Sequence, residues 1–292
     1  MTIATEQISA RATILELERI ERLAWAELYA VTQRDIVRSV GAHSFTIGSA
    51  VAGIASHIDV LAFNRVLGLG LGEAAGLAQI DDLIDAYTGA GARRFFVQLA
   101  PAVQPPDLPA RLIERGFHHH NNWVKLSRNT GALPTNSSPV RVEQIGPERA
   151  AEFAGLFVAA FEWPDEIRPW VTAVIGRPGW RFYLAYLGDH AIATGAMFID
   201  GPTAWLDFAS THSAFRGRGA QTALIQRRIR DAAAAGVQTL VTETAEDHRE
   251  KPSISMHNLI RCGFEVAYLR PNYLFESGDH TGTPERAGSH QR

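Results

Sequence analysis

The 292 residues exceed the roughly 100–200 of a single domain, so two domains of about 130 residues each are expected. Hydrophobic residues at 46% and charged residues at 20% exclude a largely disordered chain, and a net charge of −3 gives no electrostatic case for nucleic acid or a membrane surface as partner. A lone cysteine, Cys262, cannot form an internal disulfide and suits the reducing cytoplasm; the charged N-terminal stretch reads as no signal peptide, and no apolar run reaches the length of a membrane span.

In chain order, Ile14, Leu17, Ile20, Leu23, Ala24 and Leu28 recur at three- and four-residue steps and predict a long helix over Ile8 to Val31. Strands are predicted at Ser44 to Ile54 and Asn64 to Leu71, a helix at Leu77 to Ala86, a strand at Arg94 to Leu99, a helix at Leu108 to Arg115 and a strand at Trp123 to Leu126. The triplet His118-His119-His120 lacks partners at metal-ligand spacing and reads as a solvated loop, so no metal is expected. The segment Asn129 to Pro139, NTGALPTNSSP, has linker composition and separates residues 1–130 from 140–277.

The second half opens with a strand at Val140 to Ile145 and helices at Ala150 to Phe161 and Pro164 to Ile175. Three strands joined by Gly188-Asp189 and Asp200-Gly201-Pro202 turns follow, at Arg181 to Leu187, Ala191 to Ile199 and Thr203 to Thr211. A helix at Gly219 to Ala235, a strand at Val237 to Thr242, a short helix at Ser253 to Cys262 and closing strands at Phe264 to Leu269 and Asn272 to Phe275 complete it, with 278–292 reading as a loose tail. The run GARRFFVQLAP…ARLIERGFHHHNNWVKL repeats the strand, helix, Gly-Phe, strand order of GVQTLVTETAE…SMHNLIRCGFEVAYL, which suggests related halves.

The stretch THSAFRGRGAQTALIQRRI carries the chemistry. A strand ends in a Gly- and Arg-rich turn that opens a helix, and the first N–H groups of a helix have no intrahelical partner and collect positive charge. Gly217 and Gly219 let backbone approach an anion, while Arg216 and Arg218 add charge for phosphate oxygens. A Walker loop would need Gly-Lys-Ser/Thr, and a dinucleotide fold would need its glycines after a first parallel strand; neither is present.

With its loop after the third strand of a meander, the order over Val140 to Phe275 resembles the GNAT superfamily of acyl-CoA-dependent N-acyltransferases. The loop Arg216-Gly217-Arg218-Gly219-Ala220-Gln221 stands for R-x-x-G-x-G/A, and Ser255, Asn258, Arg261, Gly263 and Phe264 match a second family pattern. The resemblance implies an α+β fold of two GNAT-like domains, each a mostly antiparallel sheet flanked by helices, the first degenerate. It also implies acetyl-CoA as co-substrate, transfer to a primary amine of a small molecule or protein, and a monomer or homodimer. Cofactor contacts would come from Ala209, Thr211 and Ser213, where a splayed strand holds the thioester, from Arg216 to Gln221, and from Asn258 facing the cofactor arm. Asp207, sharing a strand face with Ala209 and Thr211 by alternation, is the first candidate base; Glu243 and Tyr273 are further catalytic candidates. Two departures stand out. Gln221 replaces a small residue, and Leu259 falls where many relatives carry an acidic tyrosine. Alternatives are an inactive acyl-CoA sensor or scaffold and a purely interacting protein. The first half, GLGLGEAAGLAQIDDLIDA at the matching point, has Glu73, Asp81 and Asp82 and no arginine, so it would repel a phosphate.

Overall fold

The computed structural model describes residues 3–31, 34–132 and 139–278. The predicted tail beyond Gly278 and the middle of the predicted linker lie outside the described residues.

The long amphipathic run forms α1 (Ile3–Ala30), and a short α2 (Arg34–Val40) that the sequence did not signal follows it. The single strand predicted over Ser44 to Ile54 is a hairpin, β1 (Ala42–Ile47) and β2 (Ala50–Ala55): Gly48, at φ +55°, supplies the left-handed residue that a tight turn needs. Then come β3 (Arg65–Leu67), α3 (Leu77–Gly89), β4 (Arg94–Gln98), α4 (Leu108–Glu114) and β5 (His118–Asn129). The histidine triplet lies inside β5, not in a loop. Main-chain pairing of this strand with a later one leaves its polar N-terminal side chains at the surface.

The second half contains β6 (Arg141–Ile145), α5 (Ala150–Ala160), α6 (Arg168–Val174), β7 (Trp180–Leu187), β8 (His190–Asp200), β9 (Thr203–Thr211), α7 (Ala220–Ala234), β10 (Thr239–Ala245), α8 (Ile254–Arg261) and β11 (Glu265–Glu276). The two predicted closing strands are one, irregular near Val266 and Asn272. Among the described residues no helix is long and apolar enough to cross a membrane.

All strands join in an 11-stranded sheet of order β1-β2-β3-β4-β11-β5-β10-β9-β8-β7-β6, antiparallel except for β3–β4 and β9–β10. Each half thus has antiparallel strands, one parallel pair, a helix and a final strand. The final strands are exchanged: β5 of the first half pairs with β10 of the second, β11 of the second pairs with β4 of the first, and β5 and β11 pair with each other.

Apolar side chains close the layers. Tyr87, Phe95 and Leu112 pack beneath α3 and α4, and Leu224, Ile229 and Phe264 beneath α7 and α8. On the other face, α1, α5 and α6 bury Trp25, Phe153, Trp170 and Trp205 in one core drawn from both halves. Trp170 Nε1 donates to Leu28 O at 2.8 Å, so the indole is satisfied across the junction.

Candidate active site

The strands β9 and β10 run parallel only from Thr203–Trp205 against Thr239–Val241, and then part. Beyond Leu206, whose carbonyl accepts from Thr242 Oγ1 at 2.9 Å, the β9 edge has no strand partner on this side among the described residues. A bulge accompanies the parting. Phe208 sits at φ +51°, and the β8 register slips between Thr194 and Ala196. As a result Trp205 and Phe208 both enter the α1/α5 core while Leu206 enters the α7 core. The strict alternation expected to carry Asp207, Ala209 and Thr211 on one face is therefore broken at Phe208. From the α7 side the fully buried Arg228 holds the bulge, donating to Ala196 O at 2.9 Å and Asp207 O at 3.3 Å. Burial pushes this guanidinium down to about 10.

At the mouth of the opening, Ser213 begins a 3-10 turn (Ser213–Phe215) and the chain then enters α7. Gly217 and Gly219 adopt φ +75° and +81°, in the left-handed region that costs other residues energy. This geometry turns successive amides outward. Among the described residues, the N–H groups from Gly217 to Thr222 donate to no protein group, and the loop is exposed. A Cβ placed on Gly217 would meet nothing within 4 Å, so the space beside this residue is open among the described residues. Arg218 lies over the Phe215 ring at 5.5 Å, beside the same space. These groups fit a pyrophosphate.

Gln221 and Asn258 behave differently from expectation. Asn258 is buried, gives its amide to Gln221 Oε1 and accepts from Arg261, while Gln221 Nε2 reaches Ser255 Oγ at 2.9 Å. The pair fastens α8 to α7, and the Asn258 side chain is engaged by protein where a cofactor contact was expected. The cause is the departure already noted: a long side chain at position 221 reaches across a gap that Gly or Ala would leave open. Ser253 caps α8 by accepting from Met256 N at 3.3 Å, and Asp247 Oδ1 in turn accepts from Ser253 N at 2.6 Å. Leu259 is core, packed with the α7 group.

Asp207 and Glu243 meet beneath the opening. Burial, then the negative charge of Glu243, raises Asp207 to about 7, against the opposing pull of Arg65. Glu243 Oε2 accepts from Trp205 Nε1 at 2.9 Å and lies 3.3 Å from Lys125 Nζ; burial and Glu21 raise its proton affinity, while Lys125, Arg270 and Arg65 oppose. Tyr273 is not part of this group. It pairs with Val97 and His119 across the sheet and packs in the first-half core, because β11 has crossed to β4. The sequence reading also missed Glu18, Glu21, Arg65, Lys125 and Arg270, all buried behind Asp207 and Glu243. The only signal was a charge within apolar runs, as Lys125 in WVKL.

The matching turn of the first half is closed. Gln104 N donates to Gly70 O at 2.7 Å, Ala75 N to Gln104 O at 2.8 Å and Gly72 N to Ser49 Oγ at 3.0 Å. A Cβ on Gly70 would lie 2.6 Å from Gln104 O. The chain itself fills that place.

Residues 148–264 match the family model "Acetyltransferase (GNAT) family". This segment is similar to that family. The whole chain is similar in fold to a GCN5-related N-acetyltransferase from Kribbella flavida (TM-score 0.60, 17% identity, 88% of this chain and 96% of that one). It is also similar to a GCN5-related N-acetyltransferase from Sphaerobacter thermophilus (TM-score 0.56, 14% identity, 80% and 82%). A tandem GNAT protein from the clavulanic acid biosynthesis pathway aligns at TM-score 0.56 and 16% identity over 78% of each chain. No curated protein sequence matches the chain. The fold is thus that of acyl-CoA-dependent N-acetyltransferases in general, mixed α and β with a mostly antiparallel sheet.

Proposed function

We propose that the chain transfers an acetyl group from acetyl-CoA to a primary amine of a small molecule. One observation carries the reading: the unpartnered amides from Gly217 to Thr222 face open space beside the parted strands. The pyrophosphate sits on these amides with Arg216 and Arg218, and the acyl arm runs along Ala209, Thr211 and Ser213. Residues 140–277 form the transferase domain, and residues 1–130 a GNAT-like support that has lost its own cofactor turn.

The reaction follows from the groups present. An amine attacks the thioester carbon; a C–N bond forms, the C–S bond breaks, and the amine proton passes to Asp207. A carboxylate raised to about 7 suits this work, since a base is most effective near the ambient pH. The departing thiolate takes up a proton to give the CoA thiol, and the buried Leu259 offers none. That residue also favours a second reading, a catalytically inactive acyl-CoA sensor.

Calorimetry with acetyl-CoA and desulfo-acetyl-CoA, followed by thiol release across a panel of small amines, separates the two. Binding with turnover supports the transferase. Binding without turnover supports the sensor, and no binding overturns both.

A further inference from the structure

The charged groups buried where the halves exchange strands have no place in holding a nucleotide. Glu21 of α1 bonds Lys125 of β5 and Arg270 of β11, and its Oε1 lies 3.6 Å from Arg65 Nη2 of β3. Glu18 of α1 lies 3.7 Å from Lys125 and 3.1 Å from Arg270, and accepts from Tyr268 Oη at 2.7 Å. Lys125 then reaches Glu243 at 3.3 Å. Arg65 is further held over the Trp25 ring at 3.8 Å. Withdrawing each ion from water is costly, and an apolar cluster would fill the same space, so the network is a poor way to obtain stability alone. Among the described residues it reaches the parted strands at Glu243, whose charge acts on Asp207.

We propose that Glu21, Arg65 and Lys125, all from the first half, are positioning residues for the Asp207 and Glu243 carboxyls of the second half. The proton-accepting centre is then completed only by the first half. The inference rests on the acetyl-transfer reading for its use, but not for its measurement. The charges that act on Asp207 are Glu243 on β10, Arg65 on β3 and Glu21 on α1, and Arg228 on α7 holds its main-chain carbonyl. Glu243 is in turn tied to the first half through Lys125, which bonds Glu21, and Glu21 lies 3.6 Å from Arg65. Removing the Arg65 cation leaves more negative charge around Asp207 and strengthens its hold on a proton. Removing the Glu21 anion does the reverse.

The test follows the Asp207 carboxyl by 13C NMR in protein labelled at aspartate, with D207N assigning the signal. In R65Q the midpoint moves up, and in E21Q down, each by on the order of one pH unit; the acidic limb of kcat/KM moves with it. K125M lowers kcat while leaving KM for acetyl-CoA unchanged, and K125R restores part of the loss. Damage to packing cannot give shifts of opposite sign. Unmoved midpoints, or midpoints moving the same way, overturn the proposal. If R65Q does not fold, E21Q alone decides, since a midpoint that stays or rises is fatal. Acetyl transfer by the unaltered chain is read separately, so a protein without turnover would refute the transferase reading while the titration still judged the network.

Discussion

Gly217 and Gly236 stand near opposite ends of α7, at φ +75° and +80°, and a Cβ at either would meet nothing within 4 Å. Changing either to alanine therefore imposes the same penalty and no clash. A left-handed alanine costs about 1–2 kcal/mol of stability, which lowers the melting temperature by roughly 2–4 °C per kcal/mol in a chain of this class. The two variants diverge only in binding. At Gly217 the methyl group enters the space where the pyrophosphate approaches, and strain tilts an amide that would donate to a charged acceptor; such a bond is worth about 1–3 kcal/mol. Acetyl-CoA affinity of G217A should thus fall roughly 5- to 150-fold, while G236A keeps the affinity of the unaltered protein. Differential scanning calorimetry and isothermal titration on both proteins give the four numbers. Equal affinities in the two variants, at equal loss of stability, would refute the placing of the phosphates.

Asp207→Asn should lower kcat about 10²- to 10⁴-fold with acetyl-CoA affinity unchanged, and kcat/KM of the unaltered enzyme should fall as the pH drops below about 7. Because the folded chain holds this proton more tightly than the unfolded one, whose carboxyl titrates near the ordinary 3.8, stability falls steadily as the pH rises from about 3.8 and the loss is complete above about 7. D207N should therefore melt higher than the unaltered protein at pH 8, with the difference shrinking toward zero only as the pH falls to about 4; the reverse order in thermal scans would contradict a strained carboxylate. Titration calorimetry should find one acetyl-CoA per chain, since the Gly68–Gly72 turn is filled by the protein's own Gln104. A stoichiometry of two would place a second site in the first half.

Regular elements were legible where a local pattern is enough to specify them. The three- and four-residue periodicity gave α1, α5 and α7, and the Gly-Asp and Asp-Gly-Pro turns marked the ends of β7, β8 and β9. The loop was legible because its requirements are local too: glycine for a left-handed backbone, arginine for charge, a helix start for amides. Pairing partners were not. Nothing in HNNWVKLSRN says that its neighbours are β10 and β11, so the buried ions that depend on that neighbourhood stayed hidden, and Tyr273 was assigned to a site that its strand had left. Asn258 went astray for a different reason. A motif records which residue stands at a position, whereas the hydrogen bond it makes depends on Gln221 opposite.

The crossing of β5 and β11 also bears on how the molecule is made. During synthesis β4 emerges well before the strand that covers its outer edge, which ends at Glu276. Until then the first half carries one strand edge open to water and a lysine whose carboxylate partner on β10 has not arrived. Each half thus takes a strand from the other to complete its sheet, and the last pairing of the first half waits on β11 of the second.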